Sequence, residues 1–446
     1  MLQFTILADQ VQADINAGRL KPGSRLTTQR QFAHAHGIAL STATRVYSEL
    51  VRRGLVIGEV GRGTFVRTGP PTTGFALAQG IGGLINLATN QPLLPSQAGI
   101  LAQSTGLLAR RSSVIASAME PVVAPGTDAA RRVLASFLKR GPWQPDSERL
   151  LFTGNGRQAL AATLAAFVPP GQRLGVETLS YQAVTGIATR LGIGVVPLPM
   201  DEHGLRPGGV IAAHRGAPLK AIYVQPTLQN PLGITMPRAR RLELAATLRQ
   251  LDVLGIEDHV YAFLIDDPSP LASLAPDHVV MIDSLSKRVA PGLTLGWALA
   301  PAHLVSALAE SIRARVLVPS GLALELGIRW MAEGTVTRLV KGKRRDAEMR
   351  QRLLRKALPD MTIEADPRAY HAWWVLPAAW RAETFAAAAA ARGIAVAPAS
   401  AFATGPGHAP NAVRLALASP PPKVLLASLQ VLNTLAQSKP KDLNFE

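Results

Sequence analysis

"HVVMIDSLSKRVAPG", residues 278–292, places Lys287 a few positions beyond an unbroken apolar run. Val279 to Ile282 read as a short strand buried on both faces, and the small polar residues that follow read as a turn into a helix. A lysine just past a buried strand is costly to desolvate unless something pairs with it or uses it. A solvated lysine opening a helix explains this stretch equally well when it is taken alone. The neighbouring sequence therefore has to decide.

Toward the amino end of this stretch helical and strand-like patterns alternate. "RRVLASFLKRG", "RQALAATLAAF" and "AVTGIATRLG" have helical spacing, while "RLLFTG", "QRLGVET", "GVVPLPM", "KAIYVQP" and "DVLGIED" are short apolar runs of strand length. Such alternation from about residue 86 implies an α/β fold with a mainly parallel central sheet, helices on both faces and ligands at the carboxyl ends of the strands. The unusual residues fall at those ends. "LLFTGNGRQAL" is a strand, a glycine turn and a helix start, so the amides of Gly156 and Arg157 would suit a phosphate. Tyr181 follows the next strand, Asn230 precedes a proline in "QPTLQNPLG", and "GIEDHVY" ends a strand on Asp258 with Tyr261 beyond it. A carboxylate at a buried strand end needs a cationic or hydrogen-bonding partner.

Each of these residues has a structural explanation by itself. Together, a lysine able to form a Schiff base, an acid able to hold a protonated ring nitrogen, a stacking ring and an anion cradle describe a pyridoxal phosphate site. The chain from about residue 86 to 446 resembles the fold type I, aspartate-aminotransferase-like proteins, with a large subdomain over about 86–320 and a small one over about 321–446. The resemblance implies that Lys287 is the aldimine lysine and that Asp258 pairs with the pyridine nitrogen. It places Asn230 and Tyr261 near the ring's 3-oxygen, Tyr181 against the ring, and Gly156, Arg157, Ser284 and Ser286 around the phosphate. Arg414, in "NAVRLALA", matches the arginine that grips a substrate carboxylate, a role suited to a guanidinium fork. Two positions depart from the pattern. Thr294 stands where the family has its phosphate-neutralising arginine, which leaves Arg288 or Arg157 to compensate, and Leu179 replaces the proline of an "ExPxY" pattern.

Residues 1–67 are different in character, with nine basic side chains against four acidic ones. Phe4, Leu7, Val11 and Ile15 have helical spacing. "LTTQRQFAHAHG" offers a capping box, Thr28 with Gln31, and a glycine stop at Gly37; "LSTATRVYSELVRRG" is a third helix ending at Gly54. "GLVIGEVGRGTFV" reads as two strands around a glycine turn, completing a winged helix. Val46, Tyr47, Leu50 and Leu55 are its expected core. The segment resembles the GntR-type winged helix through "RLTTQRQFA", "STATRVYSEL" and "GRGTFV", which implies DNA contacts from Arg30, Ser41, Thr42, Thr44, Arg45, Arg62, Gly63 and Thr64. Thr27 and Leu40 depart from that family's usual proline and arginine. Residues 68–85, rich in glycine, proline and threonine, read as a linker.

A GntR winged helix joined to an aminotransferase-like domain is the arrangement of MocR-type regulators. That resemblance implies a homodimeric transcription regulator that binds an operator in double-stranded DNA and responds to pyridoxal 5'-phosphate, sensing an amine or amino-acid effector through a Lys287 aldimine. An active aminotransferase with an appended DNA-binding domain, and a cofactor-free DNA-binding dimer with a vestigial enzyme domain, both stay open. The net charge of +17 over 446 residues favours a polyanionic partner. With no cysteine there is neither a disulfide framework nor a thiolate metal site, no other metal site is expected, and an amino terminus with acidic residues in place of a signal peptide implies a cytoplasmic protein without a membrane span. The basic run "KGKRRDAEMRQR", residues 341–352, reads as a solvated helix face or an accessory DNA surface.

Overall fold

The computed structural model describes residues 3–21, 23–59, 63–66, 83–266, 269–405 and 409–438. Its first part is three helices and a ribbon: α1 (Gln3–Asn16), α2 (Gln29–Ala35), α3 (Leu40–Arg52), β1 (Val56–Glu59) and β2 (Gly63–Val66). Thr28 caps α2 as expected, its side chain accepting from the Gln31 amide while Gln31 Oε1 accepts from the Thr28 amide. Val46, Tyr47, Leu50 and Leu55 are buried together with Ala8, Val11, Phe32 and Val66, so the ribbon closes the helical core. This small domain touches the remainder of the chain where the Arg381 guanidinium lies 4.2 Å above the Phe65 ring.

Of the linker expected over residues 68–85, residues 68–82 lie outside the described residues, and its last residue already belongs to β3 (Ile85–Leu87), which joins a smaller sheet. The chain then runs through β4 (Leu150–Thr153), β5 (Arg173–Glu177), β6 (Gly194–Leu198) and a minimal hairpin of β7 (Met200–Asp201) with β8 (Gly204–Leu205). It continues with β9 (Ala221–Val224), β10 (Leu254–Asp258), β11 (Val279–Ser284) and β12 (Gly296–Leu299). The seven-stranded sheet has the order β4-β12-β11-β10-β9-β5-β6. Pairing is parallel from β11 to β6, and β12 alone runs against its neighbours β11 and β4. Every residue of β4, β9 and β11 is buried, which is why these strands read as continuous apolar runs. One apolar layer, with Phe152, Ile222, Met281 and Trp297, covers one face; Leu160, Val176, Ile256 and Ile282 belong to the layer on the other.

The smaller sheet orders β13 (Ile363–Glu364), β14 (His371–Val375), β15 (Ile394–Pro398) and β16 (Ala412–Ala416) as β13-β14-β16-β15-β3. Two features displace the expected boundary near residue 320. Leu326, Trp330, Val336 and Leu339 pack into the core of the large sheet, and the small-sheet core begins only with Leu354, within the helix Thr335–Ala357. In addition, β3 carries residues 85–87 into the small sheet, pairing in parallel with β15. The smaller layer is thus built from both ends of the region. Among the described residues no helix is long and apolar enough to cross a membrane.

Candidate functional site

The carboxyl ends of the parallel strands open into a cavity of about 230 Å³. Gly156, Arg157, Tyr181, Asn230, Asp258, Tyr261, Ser284, Ser286, Lys287 and Arg414 all line it, from sequence positions as far apart as 156 and 414. Parallel register is what gathers them: Asp258 lies beside Ile282, so the ends of β10 and β11 present Asp258 and the Lys287 turn at one level.

Lys287 sits on the four-residue helix Leu285–Arg288, whose start is fixed by the Ser284 side chain accepting from the Ser286 amide. Its Nζ donates to the Asn90 carbonyl at 2.6 Å. Burial, helped by the positive charges of Arg414 and Arg157, lowers its pKa to about 8, so a neutral amine is accessible near physiological pH. Asp258 faces the same cavity. Its Oδ2 accepts from the Tyr223 hydroxyl at 2.6 Å and its Oδ1 from the Val260 amide at 2.9 Å, while burial raises its pKa to about 6. Tyr223 was not singled out in the sequence, although a tyrosine inside a buried strand signals that its hydroxyl needs a partner.

At the end of the cavity that the resemblance assigns to the phosphate, Asn155 caps the helix Gly156–Phe167 by accepting from the Gln158 amide, and exposed Arg157 follows on its first turn. A Cβ at Gly156 would lie 3.5 Å from Ser284 Oγ, so the missing side chain leaves room between the helix start and the serine. A Cβ at Gly296 would lie 2.4 Å from the Asn155 carbonyl carbon, which is why the turn approaches β12 only over glycine. Ser284 Oγ donates to Ser286 Oγ at 3.0 Å, and Ser286 Oγ lies 2.7 Å from Thr294 Oγ1. Thr294 thus meets Ser286 through a hydroxyl where the resemblance expects a charge, and it is not among the residues that line the cavity.

Arg288 does not compensate. It is 1% exposed, pairs with Asp283 at 2.5 Å, and lies among the rings of Phe137, Phe263 and Trp297, outside the cavity lining. Consecutive helical residues point about 100° apart, so a Lys287 aimed into the cavity sends Arg288 into the core.

At the opposite end, Arg414 donates to Asn230 Oδ1 at 2.8 Å and to the Ala88 carbonyl, with the Phe402 ring 4.8 Å away. Burial lowers its pKa to about 10. Asn90 reaches the Tyr261 hydroxyl at 3.4 Å. Ala88, Thr89, Asn90 and Gln91 line the cavity too, and nothing in the sequence marked them. The run 341–352 fits neither expectation as a whole. Lys343 is fully buried and donates to the carbonyls of Lys287 and Val289 at 2.9 and 2.6 Å, and Arg350 is buried against the Leu417 and Pro420 carbonyls.

In the winged helix, Ser41, Thr42, Thr44 and Arg45 lie in the first half of α3 and Arg30 on α2, with Arg30, Ser41, Thr44 and Arg45 exposed. Thr44 Oγ1 donates to Gln29 Oε1 at 2.8 Å, and the Arg45 guanidinium lies 4.5 Å over Phe4. Arg30, Gly63 and Thr64 share a cleft with Thr28, Leu40 and Arg25. Arg62 lies outside the described residues. Exposed Arg25 lies along the wing, its Nε 2.6 Å from where a Gly63 Cβ would be.

Residues 83–432 match the family model "Aminotransferase class I and II", and residues 5–66 match "Bacterial regulatory proteins, gntR family". The "Uncharacterized HTH-type transcriptional regulator YdeF" of Bacillus subtilis is 26% identical over 422 residues, covering 94% of this chain and 90% of that protein. The "HTH-type pyridoxine biosynthesis transcriptional regulator PdxR" of Corynebacterium glutamicum is 27% identical over 385 residues, covering 80% of this chain and 79% of its own length. Among solved structures, an archaeal alanine:glyoxylate aminotransferase superposes with a TM-score of 0.72 at 23% identity, covering 82% of this chain and 93% of that one.

Proposed function

Because this chain belongs to the class I and II aminotransferase family and carries a GntR-family domain ahead of it in the MocR-type arrangement, we propose that it is a transcription regulator whose DNA binding responds to pyridoxal phosphate and an amine or amino acid. The observation that carries the reading is a single cavity with Lys287, Asp258 and a capped helix start around it, in a chain whose other domain is a winged helix.

The donor set fits the cofactor. Lys287, with its lowered pKa, would be the covalent anchor, and Asp258 would hold a proton on the ring nitrogen, its own carboxylate kept in place by Tyr223. Asn230 and Tyr261 would face the ring oxygen, Tyr181 the ring itself. Gly156, Ser284, Ser286 and Arg157 would meet the phosphate. When bound, pyridoxal phosphate supplies an aldehyde that reacts with primary amines and a ring that spreads negative charge. Arg414 and Asn230 would orient a ligand carboxylate. The relative named for pyridoxine biosynthesis supports a link to this cofactor's chemistry.

The test is the visible absorbance of purified protein titrated with pyridoxal phosphate. A band that appears with wild type and is missing in Lys287→Ala supports the reading. No band at saturating cofactor leaves a DNA-binding protein with a vestigial enzyme domain. Retention of Arg414 beside the cavity favours a second reading, a working aminotransferase, which requires amino-group transfer to a 2-oxo acid that Lys287→Ala abolishes.

A further inference from the structure

The first turn of α3 carries a large apolar side chain that the core does not cover. Ala43, Val46, Tyr47 and Leu50 of this helix are buried, and Leu40, three residues before Ala43, would continue their stripe by helical phase alone. It is instead 46% exposed. The helix starts beyond the edge of the core, and Leu40 lines a cleft together with Arg25, Arg30, Gly63 and Thr64. Both arginines are exposed. Two polar neighbours on α3 are held within the domain: Thr44 Oγ1 donates to Gln29 Oε1 at 2.8 Å, and the Arg45 guanidinium lies 4.5 Å over the Phe4 ring of α1. Ser41 is exposed as well, but a hydroxyl bonds to any base edge. Of the exposed side chains in the first two turns of α3, Leu40 is therefore the one that can tell one base from another without first leaving a partner.

We infer that Leu40 reads the 5-methyl group of a thymine in the major groove, with Arg25 and Arg30 on flanking phosphates. The inference rests on the DNA-binding part of the reading given under Proposed function and adds the base that α3 selects. In a helix–turn–helix the first residues of the second helix meet base edges, while phosphate contacts set position without carrying sequence. Thymine alone among the four bases offers an apolar group on its major-groove edge. Seating that methyl against Leu40 removes apolar surface of both from water. An arginine, which GntR-type domains usually carry here, would pair with guanine O6 and N7, so leucine exchanges a guanine preference for a thymine preference.

The test lets the full-length protein, with and without pyridoxal phosphate, enrich duplexes from a random-sequence pool. Each thymine of an enriched duplex is then replaced singly by 2'-deoxyuridine, which lacks only the 5-methyl group. Fluorescence anisotropy should show one thymine per half-site at which the replacement weakens wild-type binding about fourfold, equivalent to about 0.8 kcal/mol for one buried carbon. Leu40→Ala should bind the unmodified duplex more weakly and be indifferent to deoxyuridine at that position. It should keep the melting temperature and the salt-dependence slope of wild type, since neither the core nor the phosphate contacts change. Leu40→Arg should enrich guanine in place of that thymine. A wild type indifferent to deoxyuridine at every position, or a Leu40→Ala variant as sensitive as wild type at the same thymine, overturns the inference. Enrichment of no duplex would overturn the DNA-binding reading and this inference together, a result distinct from enrichment without a methyl preference.

Discussion

Asp258 carries its negative charge in the cavity at a cost in stability. Its pKa is raised by burial to about 6, above the ordinary carboxylate value, so its contribution to stability is present at acid pH and is lost as pH rises from about 4 to about 6. At neutral pH the charged form is held at a cost of up to about 3 kcal/mol before solvent relaxation. Asp258→Asn keeps an oxygen to accept from the Val260 amide, turns its Nδ2 to donate to the Tyr223 hydroxyl, and removes that cost. The variant should melt higher than wild type at pH 7, match it more closely near pH 4, and lose the capacity to hold a protonated ring nitrogen. Thermal unfolding across this pH range checks it, and a lower melting temperature at pH 7 would contradict the assignment. Thr294 invites the reverse experiment. An arginine there would add a charge beside Ser284 and Ser286, at the expense of the 2.7 Å contact with Ser286. Since hydrogen bonds to charged groups contribute roughly 1.5–3 kcal/mol, Thr294→Arg should lower the dissociation constant for pyridoxal phosphate by about tenfold or more. An unchanged constant would mean that Arg157 already meets the phosphate charge.

At the scale of elements, what the sequence showed follows from periodicity. Strands buried on both faces and helices with capping signals were legible because each signal is local: Thr28 with Gln31, or the apolar run ending at Asp258. The antiparallel β12 was not, since pairing direction leaves no mark in four residues such as "GWAL". Asn90 contacts Lys287 across 197 residues and was invisible for the same reason. Lys343 was legible in principle. It continues the buried face Val336, Leu339, Lys343, Ala347, Arg350, Leu354, so helical phase outweighs its charge. Arg288 was misplaced because its residue type was read without its phase. Arg25 was missed because it stands before α2, and only the ribbon's return brings it beside Gly63. Exposed in the cleft it shares with Arg30 and Thr64, it would suit a DNA phosphate. Arg25→Ala should weaken binding to unrelated duplexes about equally and reduce the salt-dependence slope by about one, measured by fluorescence anisotropy over a salt series. A loss confined to one sequence would instead make Arg25 a base reader.

The whole molecule leaves apolar side chains uncovered beside this architecture. Met119 and Val316 are about four-fifths exposed, at 79% and 80%, and Val123, Leu293 and Leu322 are also open. Gly321 packs on the Ala118 backbone, where an added Cβ would lie 2.2 Å from the carbonyl oxygen, so the chain that carries Met119 passes beside the chain that carries Leu322. Single exposed apolar residues are ordinary, but neighbours of this kind mark a surface that another chain covers. A second copy is the occupant that makes sense of the other domain: a two-fold dimer presents two winged helices to paired half-sites, whereas a monomer holds only one. The protein should therefore have twice its chain mass by light scattering at micromolar concentration. Replacing Met119 and Leu322 together with glutamate should shift it toward monomer without unfolding the winged helix. Affinity for a two-half-site duplex should then fall by about a hundredfold or more, while affinity for a single half-site stays the same, because linkage between two binding modules is what the monomer loses. A monomeric wild type, or a double variant that remains dimeric, would place the subunit contact elsewhere and leave this patch unexplained.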